Sequence, residues 1–181
     1  QWPTAHPFLF CVHHLYHYPA ADDRQEPAAS LEGRTLGQDF EGRDGWRMYH
    51  GTTIPGFPSH PHRGFETITI VTKGFCDHSD SLGASARFGQ GDVQWMTAGS
   101  GIIHQEMPQA SPRMLGLQLW INLPAKDKFT RPQYRDLTAE SVPKVQEPTG
   151  VVGVIAGTYD QTAGPTRGDY VSTLLLDVAL N

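Results

Sequence analysis

The sequence predicts an all-β protein, a sandwich or barrel of short antiparallel strands. Two observations predict it. Glycine (19) and proline (14) are plentiful among the 181 residues, which favours many short strands joined by tight turns over long helices. Runs of alternating or β-branched residues also recur every ~8–12 residues, with turn residues between them. ETITIV at Glu66–Val71 and LGLQLWINL at Leu115–Leu123 are the clearest of these runs. The length suits one well-buried domain, or one and a part.

In chain order, Phe8-Leu9-Phe10-Cys11-Val12 reads as a first strand. His13, His14 and His17 follow at once. A histidine-rich tract can bind metal, but these residues alternate with Tyr16 and Tyr18 and run into a loop at 19–23, so they read as ordinary side chains. Residues 20–45 form a long surface excursion, a lid or a partner-facing loop. Trp46–Gly51 reads as a strand with Trp46, Met48 and His50 on one face, and residues 52–59 turn the chain. Pro61 donates no ladder hydrogen bond, so its strand lies at an edge or a rim.

After ETITIV, turns at Lys73-Gly74, Asp80–Gly83 and Gly89–Asp92 separate strands at Phe75–His78, Ala84–Phe88 and Val93–Met96. A glycine-containing turn at Thr97–Gly101 feeds Ile102–Glu106. Leu115, Leu117, Leu119, Ile121 and Leu123 share one face of a core strand. Ala125–Glu147 is polar and broken by proline, and reads as a linker. Val151–Gly157 and Tyr170–Leu180 supply two or three further strands, too few to make a domain alone.

Composition excludes several function classes. The formal net charge is −5 and no Lys/Arg block exists, so neither direct nucleic-acid contact nor a polybasic membrane patch is expected. No apolar run approaches the ~20 residues of a membrane span. Cys11 and Cys76, without a secretory leader, read as free thiols of a cytoplasmic protein. The chain begins at Gln1 rather than Met, which reads as processing or a fragment.

The chemistry concentrates between His60 and Glu106. His60 and His62 stand at i and i+2, and so do His104 and Glu106. In a strand, such pairs point to one face. If the two strands lie side by side, three imidazoles and one carboxylate converge, a set suited to a divalent transition metal with positions left for water or substrate. Glu66 lies four residues past His62, so a regular strand would put both on one side, where Glu66 could orient a ligand imidazole. Arg63 reads as an ion-pair partner or a contact to an anionic substrate. His50 and His78 read as surface or satisfied core histidines, and Cys76 as a packed thiol.

HPHRGFET (His60–Thr67), DHSDSLG (Asp77–Gly83) and GDVQWMTAGSGIIHQEM (Gly91–Met107) resemble the pirin family of the cupin superfamily. PFLF at Pro7–Phe10 and LQLWINLP at Leu117–Pro124 fit the same pattern. The resemblance implies a double-stranded β-helix, the cupin jelly-roll barrel, with a metal in its mouth. By motif, the ligands are His60, His62, His104 and Glu106, the four that spacing selects. The expected organisation is an N-terminal metal-binding cupin domain over residues 1–145. Residues 146–181 are then a linker and strands that begin a second cupin domain or complete the first.

Two functions follow from the resemblance. The first is a metal-dependent dioxygenase that opens the ring of quercetin-type flavonols with O2, with Glu106 as general base. Fe(II) is the expected cofactor; Mn, Ni, Co, Cu and Zn share the same donor chemistry. A planar polyphenol needs apolar walls, for which Phe57, Phe65, Trp95 and Met96 are candidates. The second is a non-catalytic, metal-dependent regulator or redox sensor that binds a protein partner. The fold also hosts isomerases and other dioxygenases.

Overall fold

The computed structural model describes residues 1–19, 24, 26–108 and 114–181. The loop expected at 19–23 lies outside the described residues except for Pro19. Strands β1 (Phe8–Tyr16), β2 (Phe57–His62), β3 (Phe65–Lys73), β4 (Phe75–Asp80), β5 (Ser85–Gly89), β6 (Asp92–Thr97), β7 (Ile102–Pro108) and β8 (Met114–Asn122) follow the order of the sequence pattern. After them come β9 (Gln133–Leu137), β10 (Lys144–Glu147), β11 (Gly150–Ala156), β12 (Thr158–Tyr159), β13 (Thr162–Ala163) and β14 (Leu175–Leu180). The architecture is all-β.

Two antiparallel sheets face one another as a jelly roll. One runs β1-β8-β3-β6-β9, the other β2-β7-β4-β5. Side chains bridge the gap: Thr69 of β3 and Gln118 of β8 reach Glu106 of β7, and Gln94 of β6 reaches His78 of β4. β2, which carries Pro61, is an edge strand, as the missing amide donor requires. The Arg63-Gly64 turn carries the chain from one sheet to the other, and Gly64 takes a positive φ of 76° there.

The barrel-facing and outward faces of the first sheet carry different chemistry. Phe65, Thr67, Thr69 and Val71 alternate inward along β3, while Glu66, Ile68 and Ile70 point out. Val71 joins Tyr18, Trp46, Met48, Cys76, Phe88 and Met114 in one buried cluster. Ile68, Ile70, Val93, Trp95, Leu119 and Ile121 form a second core on the outer face, joined by Val142, Ile155 and Ala156. Full burial of each such aliphatic side chain stabilises by ~1.5–3 kcal/mol. The leucine face of LGLQLWINL therefore packs behind the barrel, not inside it.

The later chain supplies that cover. β10-β11-β14 form a separate three-stranded sheet, and Ile155 and Ala156 of β11 lie in the outer core. Two element assignments are corrected. Ala125–Glu147 is not only a linker: β9 pairs with β6 from Val93↔Leu137 to Thr97↔Gln133. Its residues are mostly polar because an edge strand is held by backbone bonds and one buried Leu137, which gives no hydrophobic period to read. Trp46–Gly51 is not a strand. Trp46 and Met48 are buried as a plug, with the Arg34 guanidinium 3.7 Å over the Trp46 ring and paired to Asp39 at 2.6 Å. The excursion expected at 20–45 is tied down through Arg34, and its Leu31 and Leu36 pack against the cluster that holds Trp46, Met48 and Val71.

Candidate metal centre

β2 and β7 are antiparallel neighbours, with His60 directly opposite His104. Their alternation puts His60, His62 and His104 on the barrel side. The three imidazoles converge. His60 Nε2 lies 3.1 Å from His62 Nε2 and 3.0 Å from His104 Nε2, and one ligand nitrogen from each lies within 4.8 Å of the others. Phe65 and Trp120 pack edge-on against His62, with ring centroids 5.0 and 5.2 Å away. His60 Nδ1 lies 2.7 Å from the Pro58 carbonyl. A carbonyl only accepts, so Nδ1 carries the proton and Nε2 presents a bare lone pair.

Two of these imidazoles, His62 and His104, are held neutral. Burial, then the neighbouring His60 charge, pushes the His62 pKa down to about 4. Burial, then His60, His62 and His78, pushes His104 down to about 2. Neutral imidazole is the form that binds metal.

Glu106 lines the same cavity but stands apart from the three-histidine group. Two residues beyond His104, it sits opposite Phe57, across a bulge in the β2–β7 ladder. Its carboxylate spans to the facing sheet. Oε1 accepts from Thr69 Oγ1 at 3.2 Å and Oε2 from Gln118 Nε2 at 3.0 Å. Gln118 Oε1 accepts in turn from Trp120 Nε1 at 3.1 Å. Burial raises the Glu106 pKa to about 7, against the opposing effect of the Gln118 and Thr69 bonds.

A cavity of about 460 Å³ opens beside the histidines, lined by Phe10, Phe57, Trp120 and Glu106 among others. Of the expected walls, Phe57 lines it and Phe65 flanks His62. Trp95 faces the outer core, and Met96 packs with Ala98 and Ile102. Sequence reasoning missed Phe10, Thr69, Gln118 and Trp120. The signal for the last two was present: Gln118 and Trp120 occupy the i and i+2 positions opposite the leucine face of β8.

Glu66 does not share a side with His62. The Arg63-Gly64 turn moves the chain to the other sheet and resets the alternation, so Glu66 faces outward and accepts from Thr97 Oγ1 at 2.7 Å. Arg63 lies 4.7 Å over the Phe129 ring. His78 is a buried, hydrogen-bonded histidine, and His50 is exposed at the cavity wall. Cys11 and Cys76 are free thiols. Among the described residues, no helix is long and apolar enough to cross a membrane.

Comparison with known proteins matches this arrangement. The Pirin family profile covers residues 29–121. A pirin-like protein of Caulobacter vibrioides is 49% identical over 130 residues, 70% of this chain and 47% of that protein. Human pirin is 47% identical over 110 residues, 60% of this chain and 38% of that protein. A crystal structure of quercetin 2,3-dioxygenase from Acinetobacter baumannii superimposes with a TM-score of 0.65 at 31% identity, covering 88% of this chain and 48% of that one. The chain thus spans about half or less of the length of these relatives. With a profile match over half its length and the same fold, the chain belongs to the pirin family.

Proposed function

We propose that the chain is the metal-binding part of a dioxygenase acting on quercetin-type flavonols, with one divalent transition metal held by His60, His62, His104 and Glu106. The observation that carries the proposal is the convergence of the three imidazoles, with His60 Nε2 at 3.1 Å from His62 Nε2 and 3.0 Å from His104 Nε2 and one ligand atom of each within 4.8 Å of the others. Imidazole nitrogens bound at about 2.0–2.1 Å to one ion stand about 2.9–3.4 Å apart, so the residues fit such an ion. The donor set suits Fe(II), and equally Mn, Ni, Co, Cu or Zn.

The bound metal would supply Lewis acidity toward a deprotonated hydroxyl and a meeting point with O2. The chain's own residues do the rest. Phe10, Phe57 and Trp120 form flat apolar walls for a planar polyphenol. Glu106, off the metal or hydrogen-bonded to the substrate hydroxyl, takes the proton of the flavonol hydroxyl as general base. Gln118 and Thr69 hold its carboxylate on the cavity wall. The quercetin dioxygenase of A. baumannii, alike in fold, supports this substrate class.

Residues 1–145 act as the metal-binding cupin domain of a cytoplasmic protein. Residues 146–181 begin a second cupin domain or complete the first: β10-β11-β14 form a separate sheet, and Ile155 and Ala156 of β11 pack in the outer core of the first.

The test is quercetin decay with oxygen uptake after reconstitution with Fe(II), Mn(II), Ni(II), Cu(II) and Zn(II) in turn. Turnover is expected with at least one ion and is abolished in His62→Ala/His104→Ala. Bound metal without turnover under every ion would refute the enzyme and favour a metal-dependent regulator with a protein partner.

A further inference from the structure

Behind the three imidazoles lies a second, fully buried polar chain that the proposed reaction does not use. His78 and Asp80 stand at i and i+2 on β4, next to β7, with Asp80 opposite His104 and His78 opposite Glu106. His78 Nε2 lies 2.8 Å from Asp80 Oδ2, with both side chains fully buried. Asp80 Oδ1 accepts the amides of Leu82 and Ala84 at 2.8 and 3.1 Å. The β4–β5 turn therefore fixes the carboxylate, and the carboxylate accepts the His78 Nε2 proton. Neutral His78 must then have a bare Nδ1. Two groups face that nitrogen: Gln94 Nε2 at 2.7 Å and His104 Nδ1 at 3.5 Å. Tyr134 stacks on the ring from the side, 4.3 Å between centroids at 22°, which holds its plane.

We infer that His78 is a positioning residue that, backed by Asp80 and Gln94, holds the proton of His104 on Nδ1 and so leaves His104 Nε2 bare toward His60 and His62. The inference rests on the metal centre proposed above. Asp80 only accepts, so His78 Nε2 donates. His78 Nδ1 therefore accepts, from Gln94 Nε2 at 2.7 Å and more weakly from His104 Nδ1 at 3.5 Å, and the proton shared with it lies on His104 Nδ1. The His104 tautomer with its proton on Nε2 would aim a hydrogen into the space a metal ion needs. It would also leave the buried His104 Nδ1 a bare acceptor facing His78 Nδ1, a nitrogen with no proton to offer, and an unpaired buried polar group is costly. The Pro58 carbonyl does the same for His60, so two of the three imidazoles are fixed from behind. Within the DHSD segment, Asp77–Asp80, the alternate residues His78 and Asp80 are the ones that face the centre and support it.

The experiment is Co(II) binding, read by competition with a chromophoric chelator and by the visible ligand-field spectrum. The proteins are the parent, His78→Leu, His78→Asn and Asp80→Asn, each checked for folding in metal-free form by thermal melting. His78→Leu is expected to weaken Co(II) binding ~10–100-fold, the size of effect that outer-shell partners of metal-bound histidines have. His78→Asn, which can present a carbonyl oxygen to His104, is expected to recover most of that loss. Asp80→Asn keeps the turn acceptor but not the charge; it should weaken binding several-fold and carries the test if His78→Leu does not fold. Parent-like affinity and spectrum in both His78→Leu and Asp80→Asn would overturn the positioning role while leaving the metal centre intact. A parent that binds no Co(II) would overturn the centre itself, and this inference with it.

Discussion

Replacing Gln118 with methionine should raise the proton affinity of Glu106. The two side chains are similar in length, so the cavity wall is kept while the amide is lost. In the parent, Gln118 Nε2 donates to Glu106 Oε2 at 3.0 Å, leaving Thr69 as the other side-chain donor to that carboxylate. A hydrogen bond to a charged acceptor contributes about 1.5–3 kcal/mol. At about 1.4 kcal/mol per tenfold, its loss multiplies the proton affinity of Glu106 ~10–100-fold above a pKa that is already about 7. The sign for stability follows. A carboxyl whose folded pKa is raised contributes stability that is full below its unfolded value and is lost as pH rises through the folded one. The metal-free parent should therefore lose stability from about pH 4.5 through about 7, and Gln118→Met should extend that loss to higher pH. The direct assay is carbon-13 NMR of δ-labelled glutamate across a pH series in both metal-free proteins. A Glu106 midpoint that is unchanged or lower in Gln118→Met would refute the reasoning.

Two other outcomes are expected. His14, depressed to about 4 by burial and then by the His50 and His13 charges, should make the metal-free protein lose stability as pH falls from about 6.5 through 4, by up to about 3 kcal/mol; His14→Phe should flatten the urea-derived slope over that window, and an unaltered slope would assign it elsewhere. Gly99→Ala should cost about 2 kcal/mol or more, because φ is +49° and the new Cβ would lie 2.2 Å from the Thr130 carbonyl oxygen. Gly83→Ala, at φ +88° with nothing within 4 Å, should cost only the backbone strain, ~1–2 kcal/mol. Urea titration separates the two, and equal losses would remove the close-approach argument.

Much of the barrel was legible because strands announce themselves by a period of two. ETITIV and LGLQLWINL alternate cleanly, and the turns between β3 and β7 carry glycine where the chain reverses. The histidine cluster was legible for the same reason: HxH and HxE fix which face the side chains share, and Pro61 marks an edge. β9 was not legible, since QYRDL has one buried apolar residue and is held by its backbone to β6.

By itself, the sequence determined which residues share a face within each strand, hence the pairing of His60 with His62 and of His104 with Glu106. Only the tertiary structure decided which faces meet. The Arg63-Gly64 turn sent Glu66 to the outer core. Opposing sheets brought Gln118 and Thr69 to Glu106, and β4 brought His78 and Asp80 to the back of His104. The physical reason is range. Alternation is a local property of the extended backbone, whereas contacts across a barrel join residues far apart in sequence, through turns whose geometry resets the alternation each time.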